Sequence, residues 1–153
     1  MRAIVCRELS GPSSLRLEEL AEARPGPGQL RIRVRACGVN FADSLITRGQ
    51  YQKQPALPFS PGFEVSGEVL ELGAGVKGIA RGDRVLAMTP SGGYAEQVVA
   101  DAQRCLRIPA KCPGSTLLPF RWCLALRISP CGTGPACVPA KPWSSMAPPA
   151  ASA

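Results

Sequence analysis

Residue types that commonly do catalytic or metal-binding chemistry are few in this chain, and their spacing excludes several kinds of site. The 153-residue sequence contains seven Cys and no His. No two Cys show the paired C-x-x-C spacing, and without imidazole ligands we do not expect a zinc site. An odd number of Cys without repeated close spacing also argues against a disulfide framework. We therefore expect reduced thiols packed in a core.

Three polar residues between positions 40 and 51 are candidates for a site. Asn40 precedes a short apolar segment with helical spacing, which makes it a candidate N-cap. Asp43 is more often a structural carboxylate that bonds local backbone or Arg than a general acid. Tyr51 follows in a loop, where a partly buried aromatic is common. Residue type alone therefore leaves both structural and chemical roles open at these positions.

The elements that must position these residues are mostly short strands separated by Gly and Pro. The strand pattern recurs at 2–6, 15–20, 30–36, 65–72, 85–88, 94–100 and 105–108, with one or two helical turns at 40–48 and a Pro-rich loop at 50–62. About seven strands in 110 residues predict a mainly β fold. A closed or partly open antiparallel barrel is expected, because such a barrel leaves few exposed sheet edges.

One predicted strand carries a stripe of three arginines, Arg31, Arg33 and Arg35, that alternates with apolar residues. We interpret the stripe as a solvated strand face, because no aromatic residues interleave with it as a nucleic-acid surface requires. The sequence shows no apolar stretch of membrane-spanning length and no signal-peptide pattern at its start. No nucleic-acid or membrane partner and a cytoplasmic location are expected.

The C-terminal tail, defined here as residues 111–153, differs from the rest in composition. All eleven acidic residues precede position 102, so residues 1–110 carry a net charge of +3 and the tail carries +4. The tail also contains eight of the 16 Pro and four of the seven Cys. Frequent Pro blocks helix interiors and central strands, so we expect an irregular tail after a domain at 1–110.

Five ordered motifs in residues 1 to about 111 resemble a known family. They are ACGVNFAD at 36–43, RGQY at 48–51, PGFEVSG at 61–67, GDRV at 82–85 and GYAE at 93–96. They resemble the medium-chain dehydrogenase/reductase superfamily and, more narrowly, its quinone oxidoreductase (zeta-crystallin-like) branch. The resemblance implies a GroES-like amino-terminal catalytic domain, a partly open antiparallel barrel with one or two short helices.

The resemblance also implies a reaction without zinc. The zinc alcohol dehydrogenases have Cys and His ligands where this chain has Asn40 and Phe63, and an amide and a phenyl ring cannot replace them. Without metal, reduction of a quinone or enone needs a hydride donor, here NADPH by resemblance, and hydrogen-bond donors to the substrate oxygen.

The same resemblance assigns roles to individual residues. Asn40 and Tyr51 are the expected catalytic hydrogen-bond donors, and Asn40 is also expected near the nicotinamide. Substrate contacts are expected from Phe41, Asp43 and Phe63. Members of the family are often homo-oligomers, and the substrate is expected to be a small quinone or enone.

The family's nucleotide-binding Rossmann domain has no counterpart in the tail, which lacks a G-x-G-x-x-G turn. A one-base frame shift near Lys111 or Cys112 offers an explanation. Read in the shifted frame, residues 117–125 are compatible with AAALPVVFG and residues 147–153 with GAAGGVG, the latter like the family's phosphate-binding turn. We therefore interpret the tail as frameshifted and expect the chain to be inactive as written.

Two other functions remain open at this stage. The chain could be a non-enzymatic GroES-like module or a truncated pseudogene product that packs against a partner chain. It could also be an enoyl-reductase fragment of a larger synthase, since such enzymes resemble the same motifs.

Overall fold

The computed structural model describes residues 1–109, and the prediction for the tail falls outside them. Seven strands, one α-helix and two 3-10 turns follow one another along this part of the chain. The strands are β1 (Arg2–Val5), β2 (Arg16–Glu19), β3 (Gln29–Cys37), β4 (Glu64–Leu72), β5 (Arg84–Met88), β6 (Gln97–Asp101) and β7 (Cys105–Arg107). The helix α1 is Phe41–Thr47, and the 3-10 turns are Pro12–Ser14 and Ala102–Arg104.

The strands form two antiparallel sheets. β1 pairs with β2, while the larger sheet has the order β6-β3-β4-β5-β7. Single bridges join Ala3 to Ala95 and Cys6 to Phe59, so the small sheet lies against the loops that lead out of the large one. Among residues 1–109 the large sheet stays open between β6 and β7. The prediction of a mainly β, partly open antiparallel fold is confirmed.

The main core lies on one face of the large sheet, where β3 and β4 provide its longest strands. Strand β3 alternates buried Leu30 and Ile32 with more exposed neighbours, as its sequence pattern predicts. Nine buried residues form this main core: Leu30, Ile32, Val65, Val69, Val85, Ala87, Val98, Ala100 and Cys105. Removing these side chains from water supplies the main driving force that holds the strands together.

Gly67 allows the backbones of the paired strands β3 and β4 to approach each other closely. A Cβ atom at this position would overlap the carbonyl oxygen of Arg33 and the side chain of Ile32. The register of β3 against β4 also shifts nearby, between Val34 and Ala36. The absence of a side chain at Gly67 therefore sets the distance between the two central strands.

The outer face of β3 carries the arginine stripe, and acidic side chains surround it. Arg31 pairs with Glu22 at 2.6 Å and with Glu71 at 2.9 Å, and Arg35 reaches Glu68 at 3.4 Å. Arg33 is exposed. The stripe lies on a wetter, ion-paired face opposite the main core, as the period-two pattern predicts.

The predicted strands and helix agree with the structure to within one residue at each end, except for the start of one strand. The strand predicted at 94–100 begins only at Gln97, because Tyr94 and Ala95 turn toward β1 and the backbone N–H of Tyr94 bonds the Pro61 carbonyl at 2.9 Å. The helix predicted at 40–48 spans Phe41–Thr47, with buried Ile46 but with Phe41 76% exposed. No helix in residues 1–109 is long and apolar enough to cross a membrane.

Candidate functional site

Asn40 begins helix α1 as its N-cap. Its backbone is extended, with φ −118° and ψ 158°, and it forms a reciprocal capping box with Asp43. In this arrangement the backbone N–H of Asn40 donates to Oδ2 of Asp43 at 2.8 Å. The structural role expected for Asn40 is therefore present, and it fixes where the Asn40 side chain leaves the backbone.

Asp43 connects the start of the helix to the loop before β4. Its side chain is buried, and Oδ1 accepts a hydrogen bond from the backbone N–H of Gly62 at 3.0 Å. Both carboxylate oxygens thus accept backbone N–H bonds, one local and one 19 residues away. Asp43 has the structural role that its residue type favours, and its role in substrate binding stays a prediction.

Two glycines bring the loops around Asp43 into contact. Gly62 has a φ of +98°, and a Cβ atom there would lie 2.8 Å from the Cα of Gly93 and 2.9 Å from Sγ of Cys37. The backbone N–H of Gly93 donates to the Gly62 carbonyl at 3.1 Å, and the Thr89 hydroxyl donates to the same oxygen. No side chain fits at Gly62, because both its conformation and its surroundings exclude one.

Tyr51 and Phe63 lie side by side next to this loop. Their ring centroids are 5.3 Å apart and the planes are tilted by 45°, a favourable arrangement of two aromatic rings. Both pack against a second, smaller core of three buried residues, Cys6, Ile46 and Phe59. The structure therefore brings together two of the residues that the sequence places 12 positions apart.

Phe41 and Val39 lie on either side of Asn40 and are largely exposed. Phe41 is 76% and Val39 is 83% exposed, whereas Asn40 itself is half-buried. Asn40 is thus a half-buried polar residue between two exposed apolar neighbours in the chain.

Glu64 is a buried carboxyl group beside Asn40 that the sequence prediction did not include. The side chain is 8% exposed; it is hydrogen-bonded to the Asn40 side chain, and Oε2 has no hydrogen-bond partner. Burial, together with the nearby charge of Asp43, raises the pKa of Glu64 above its ordinary value. A carboxyl group directly before the strand pattern predicted at 65–72 was the signal that could have identified it.

Cys37 and Tyr94 complete the polar surroundings of Asp43. Burial, with the negative charges of Asp43 and Glu64, raises the pKa of the Cys37 thiol to about 12. Burial and Asp43 raise the pKa of Tyr94 as well. Both groups therefore stay neutral at physiological pH, so Cys37 is a poor nucleophile. Of the other thiols in residues 1–109, Cys6 and Cys105 are buried as predicted.

Between positions 1 and 109, no group of three or more His, Cys, Asp or Glu stands close enough to hold a metal ion. The carboxyl groups of Asp43 and Glu64 lie near each other, but Asp43 is already occupied by two backbone N–H groups.

Comparison with known proteins gives one family match and many relatives. Residues 26–110 match the family described as the alcohol dehydrogenase GroES-like domain. The chain is 48% identical over 108 residues to quinone oxidoreductase-like protein 2 of Rattus norvegicus, covering 71% of this chain and 30% of that protein. It is 40% identical over 113 residues to the quinone oxidoreductase of Lama guanicoe, covering 72% and 34%. The chain thus spans about a third of the length of these relatives.

Solved structures resemble the described fold over a similar part of the chain. The human synaptic vesicle membrane protein VAT-1 homolog-like protein matches with a TM-score of 0.72 and 40% identity, over 76% of this chain and 38% of that one. The quinone oxidoreductase of Escherichia coli complexed with NADPH matches with a TM-score of 0.70 and 32% identity, over 74% and 35%.

Proposed function

We propose a function for residues 1–109 from the family of the chain, which belongs to the alcohol dehydrogenase GroES-like domain family and to the quinone oxidoreductase branch of the medium-chain dehydrogenase/reductase superfamily. These residues are the substrate-binding domain of an NADPH-dependent, zinc-independent quinone or enone reductase. The observation that carries this proposal is the position of Asn40. It is the half-buried polar group between two exposed apolar residues, and the fold fixes its backbone through Asp43.

The amide of Asn40 has a hydrogen-bond donor left for a substrate oxygen. In the capping box the Asn40 side chain accepts from the backbone N–H of Asp43, and the amide is also hydrogen-bonded to Glu64. An Asn amide has two N–H donors, so one remains after Glu64 is satisfied. In the proposed reaction this N–H donates to the oxygen on which negative charge develops, which lowers the barrier to hydride addition.

The aromatic residues supply a surface for a flat substrate. Tyr51 and Phe63 form one side of the proposed pocket, and exposed Phe41 forms its rim. A quinone ring packs well on such rings, and the Tyr51 hydroxyl provides a second donor to a quinone oxygen. These contacts orient the ring for attack, which is the main task of a protein that leaves hydride chemistry to a cofactor.

The described residues fit only the nicotinamide end of NADPH, which supplies the hydride when bound. Asn40 is suited to contact the nicotinamide, whereas at the start of α1 the backbone N–H of Asn40 already donates to the Asp43 carboxylate. A phosphate placed there would meet a carboxylate. We therefore propose that the pyrophosphate is held by residues outside positions 1–109.

The proposal is tested by titrating the 153-residue chain with duroquinone, whose four methyl groups block addition of thiols to the ring. We expect saturable changes in the backbone amide NMR signals of Asn40, Tyr51 and Phe63. Asn40→Ser keeps a good N-cap but removes the amide, so it should bind duroquinone several-fold more weakly, while the lost hydrogen bond to Glu64 should cost about 1 kcal/mol of stability. The exposed variant Ser13→Ala serves as the control.

Two results would contradict the proposal. Duroquinone signals elsewhere, with none at the Asn40 and Tyr51 region, would remove the substrate site and favour a non-enzymatic module. Turnover of NADPH with duroquinone by the 153-residue chain above the uncatalysed rate would contradict the expectation that the chain is inactive as written.

A further inference from the structure

Strand β2 has no buried side chain, although it belongs to a sheet. Arg16, Leu17 and Glu19 are exposed, and Glu18 is only partly covered. β2 pairs with β1 on one side, and within residues 1–109 no strand pairs with its other side. A sheet of two strands is marginal by itself, and a free strand edge is a template for pairing with another chain. β2 contains neither Lys nor Pro, the residues that commonly block such pairing.

The hydrogen bonds between β1 and β2 show which backbone groups of β2 point away from β1. The amino group of Met1 donates to the Leu20 carbonyl, and the N–H of Leu20 donates to the Met1 carbonyl, both at 2.8 Å. Bonded and non-bonded pairs alternate along an antiparallel ladder, so Leu17 and Glu19 belong to non-bonded pairs. Their N–H and C=O groups therefore face the free edge, where the described residues offer them no hydrogen-bond partner.

An exposed apolar pair lies beside this free edge. Leu17 is 69% exposed, and its register partner on β1, Ile4, is 39% exposed. Residues directly opposite each other on paired strands share a face, so these two side chains form one apolar patch on the small sheet. Ala3 and Val5 of β1 are buried on the opposite face. The patch therefore lies on the outer face and ends at Leu17, where a further strand would be added.

The order of charges in β2 is complementary to itself in an antiparallel arrangement. If two copies of β2 pair about Leu17, Arg16 of each copy lies opposite Glu18 of the other. The two Leu17 side chains then meet at the two-fold axis. Pairing about Glu18 instead would place two carboxylates opposite each other. Opposite charges directly across a pair of strands stabilise it and like charges destabilise it, so the charges favour the register about Leu17.

The charged side chains have hydrogen-bonding capacity left for such a contact. Both carboxylate oxygens of Glu18 accept from Arg7 of the same chain at 2.8 Å, and a carboxylate has further acceptor sites for a second guanidinium group. Nη1 of Arg16 donates to the carbonyl oxygens of Ser13 and Leu15. A guanidinium group has five N–H donors, so donors of Arg16 remain for a carboxylate of a second copy.

We propose that β2 is the contact surface for a second copy of this chain, with the two β2 strands pairing antiparallel about Leu17 to form a continuous sheet of the order β1-β2-β2-β1. The N–H of each Leu17 donates to the Leu17 carbonyl of the other copy, and the apolar row formed by Ile4 and Leu17 of both copies is removed from water. The contact is symmetric and closed, so it produces dimers instead of fibres. It is also small, so we expect a Kd on the order of 0.1 mM. The dimer does not depend on the quinone site proposed above.

Sedimentation equilibrium of the 153-residue chain between about 10 µM and about 1 mM measures this association. We expect a monomer–dimer equilibrium. Hydrogen exchange at the Leu17 amide should slow as the concentration rises, because this N–H is bonded only in the dimer. Leu17→Lys places two like charges at the two-fold axis and should weaken the dimer about 10-fold or more. Leu106→Lys is the matched control, since Leu106 is 52% exposed on β7, an edge strand of the large sheet, and it should leave the Kd unchanged.

A charge exchange tests the register. Arg16→Glu brings carboxylates together at both proposed ion pairs, and Glu18→Arg brings guanidinium groups together, so each variant alone should dimerise about 10-fold or more weakly than the parent chain. An equimolar mixture of the two variants has opposite charges at both positions. It should form a mixed dimer with a Kd within about 3-fold of the parent value. Thermal unfolding of each variant checks that it is folded.

Four results would overturn the proposal. The chain could stay monomeric at about 1 mM, well above the expected Kd. The dimer could survive Leu17→Lys and dissociate with Leu106→Lys, which would place the contact at β7. The mixture of the two charge variants could stay monomeric, which would exclude the antiparallel register about Leu17. Association without a defined stoichiometry would mean non-specific contact of apolar surfaces instead of a closed dimer.

Discussion

The large sheet and the region around helix α1 are held together in different ways. The main core of the sheet contains only apolar residues and a thiol, contributed by five strands. The smaller core around α1 has just three buried members, Cys6, Ile46 and Phe59. The α1 region relies instead on the buried carboxylate of Asp43 and on the close contact of Gly62 with Gly93.

The large sheet therefore provides most of the stability, whereas the α1 region provides the fixed geometry that the proposed function needs. Apolar burial is not directional, so a sheet core tolerates small shifts of its side chains. Hydrogen bonds from two backbone N–H groups to one carboxylate fix both position and orientation. The fold thus uses its directional contacts where Asn40 must be held, and its apolar contacts where only the scaffold is needed.

The largest effect is expected from truncation in the main core. Ile32→Ala should lower the free energy of unfolding by about 4 kcal/mol, because Ile32 is fully buried at the centre of the sheet. Urea denaturation of the 153-residue chain measures this loss. A loss below about 1 kcal/mol would show that the main core is not what stabilises residues 1–109.

Removal of the Asp43 carboxylate should be the next largest effect. Asp43→Ala leaves the buried N–H of Gly62 and the N–H of Asn40 without acceptors, which should cost about 3 kcal/mol. Hydrogen exchange should accelerate at these two amides while the amides of β3 and β4 stay protected. Asp101→Ala, which loses one exposed hydrogen bond to Gln29, is the control and should cost below about 0.5 kcal/mol. Equal acceleration across the sheet would argue against a local role for Asp43.

Glu64 makes the stability of the α1 region depend on pH. Its pKa is raised in the folded chain from an ordinary value of 4.5, so the folded state favours the protonated form. Stability from this group is therefore fully present below pH 4.5 and is lost as the pH rises through the raised pKa. The α1 region should loosen with rising pH, whereas the apolar main core has no such dependence.

Glu64→Gln tests this dependence, since Gln keeps an acceptor for Asn40 but cannot ionise. We expect the variant to match the parent chain at pH 4 and to be more stable by about 1 kcal/mol at pH 7, because Gln cannot carry the buried charge that Glu64 takes on above its raised pKa. Thermal unfolding at both pH values measures the difference. Exposed Glu19→Gln is the control. A variant less stable than the parent at pH 7 would contradict the assigned cause.

The smallest effect is expected on the outer face of the sheet. Arg35 and Glu68 are 55% and 39% exposed and 3.4 Å apart, so Arg35→Ala should change the free energy of unfolding by at most about 0.5 kcal/mol. Urea denaturation at low and high salt measures this change. A loss above about 1.5 kcal/mol would show that the arginine stripe contributes more than a solvated face.

Much of the fold could be predicted because its signals are local. The alternation of Leu30 and Ile32 with arginines predicts both the strand and the face it buries. Asn40 followed by helical spacing predicts an N-cap, and the structure has one. The strand predicted at 94–100 was wrong at its start, because Ala95 forms a single bridge with Ala3 instead of belonging to the strand. No local sequence pattern signals that contact.

The sequence by itself determined the strands, the short helix, the family motifs and the wet face of β3, because these depend on residue type and periodicity within a few positions. Only the tertiary structure decided that Asp43 bonds Gly62, that Tyr51 stacks near Phe63 and that Glu64 is buried beside Asn40. Such contacts join residues distant in the chain. Their geometry depends on the order in which strands pair, and periodicity carries no information about that order.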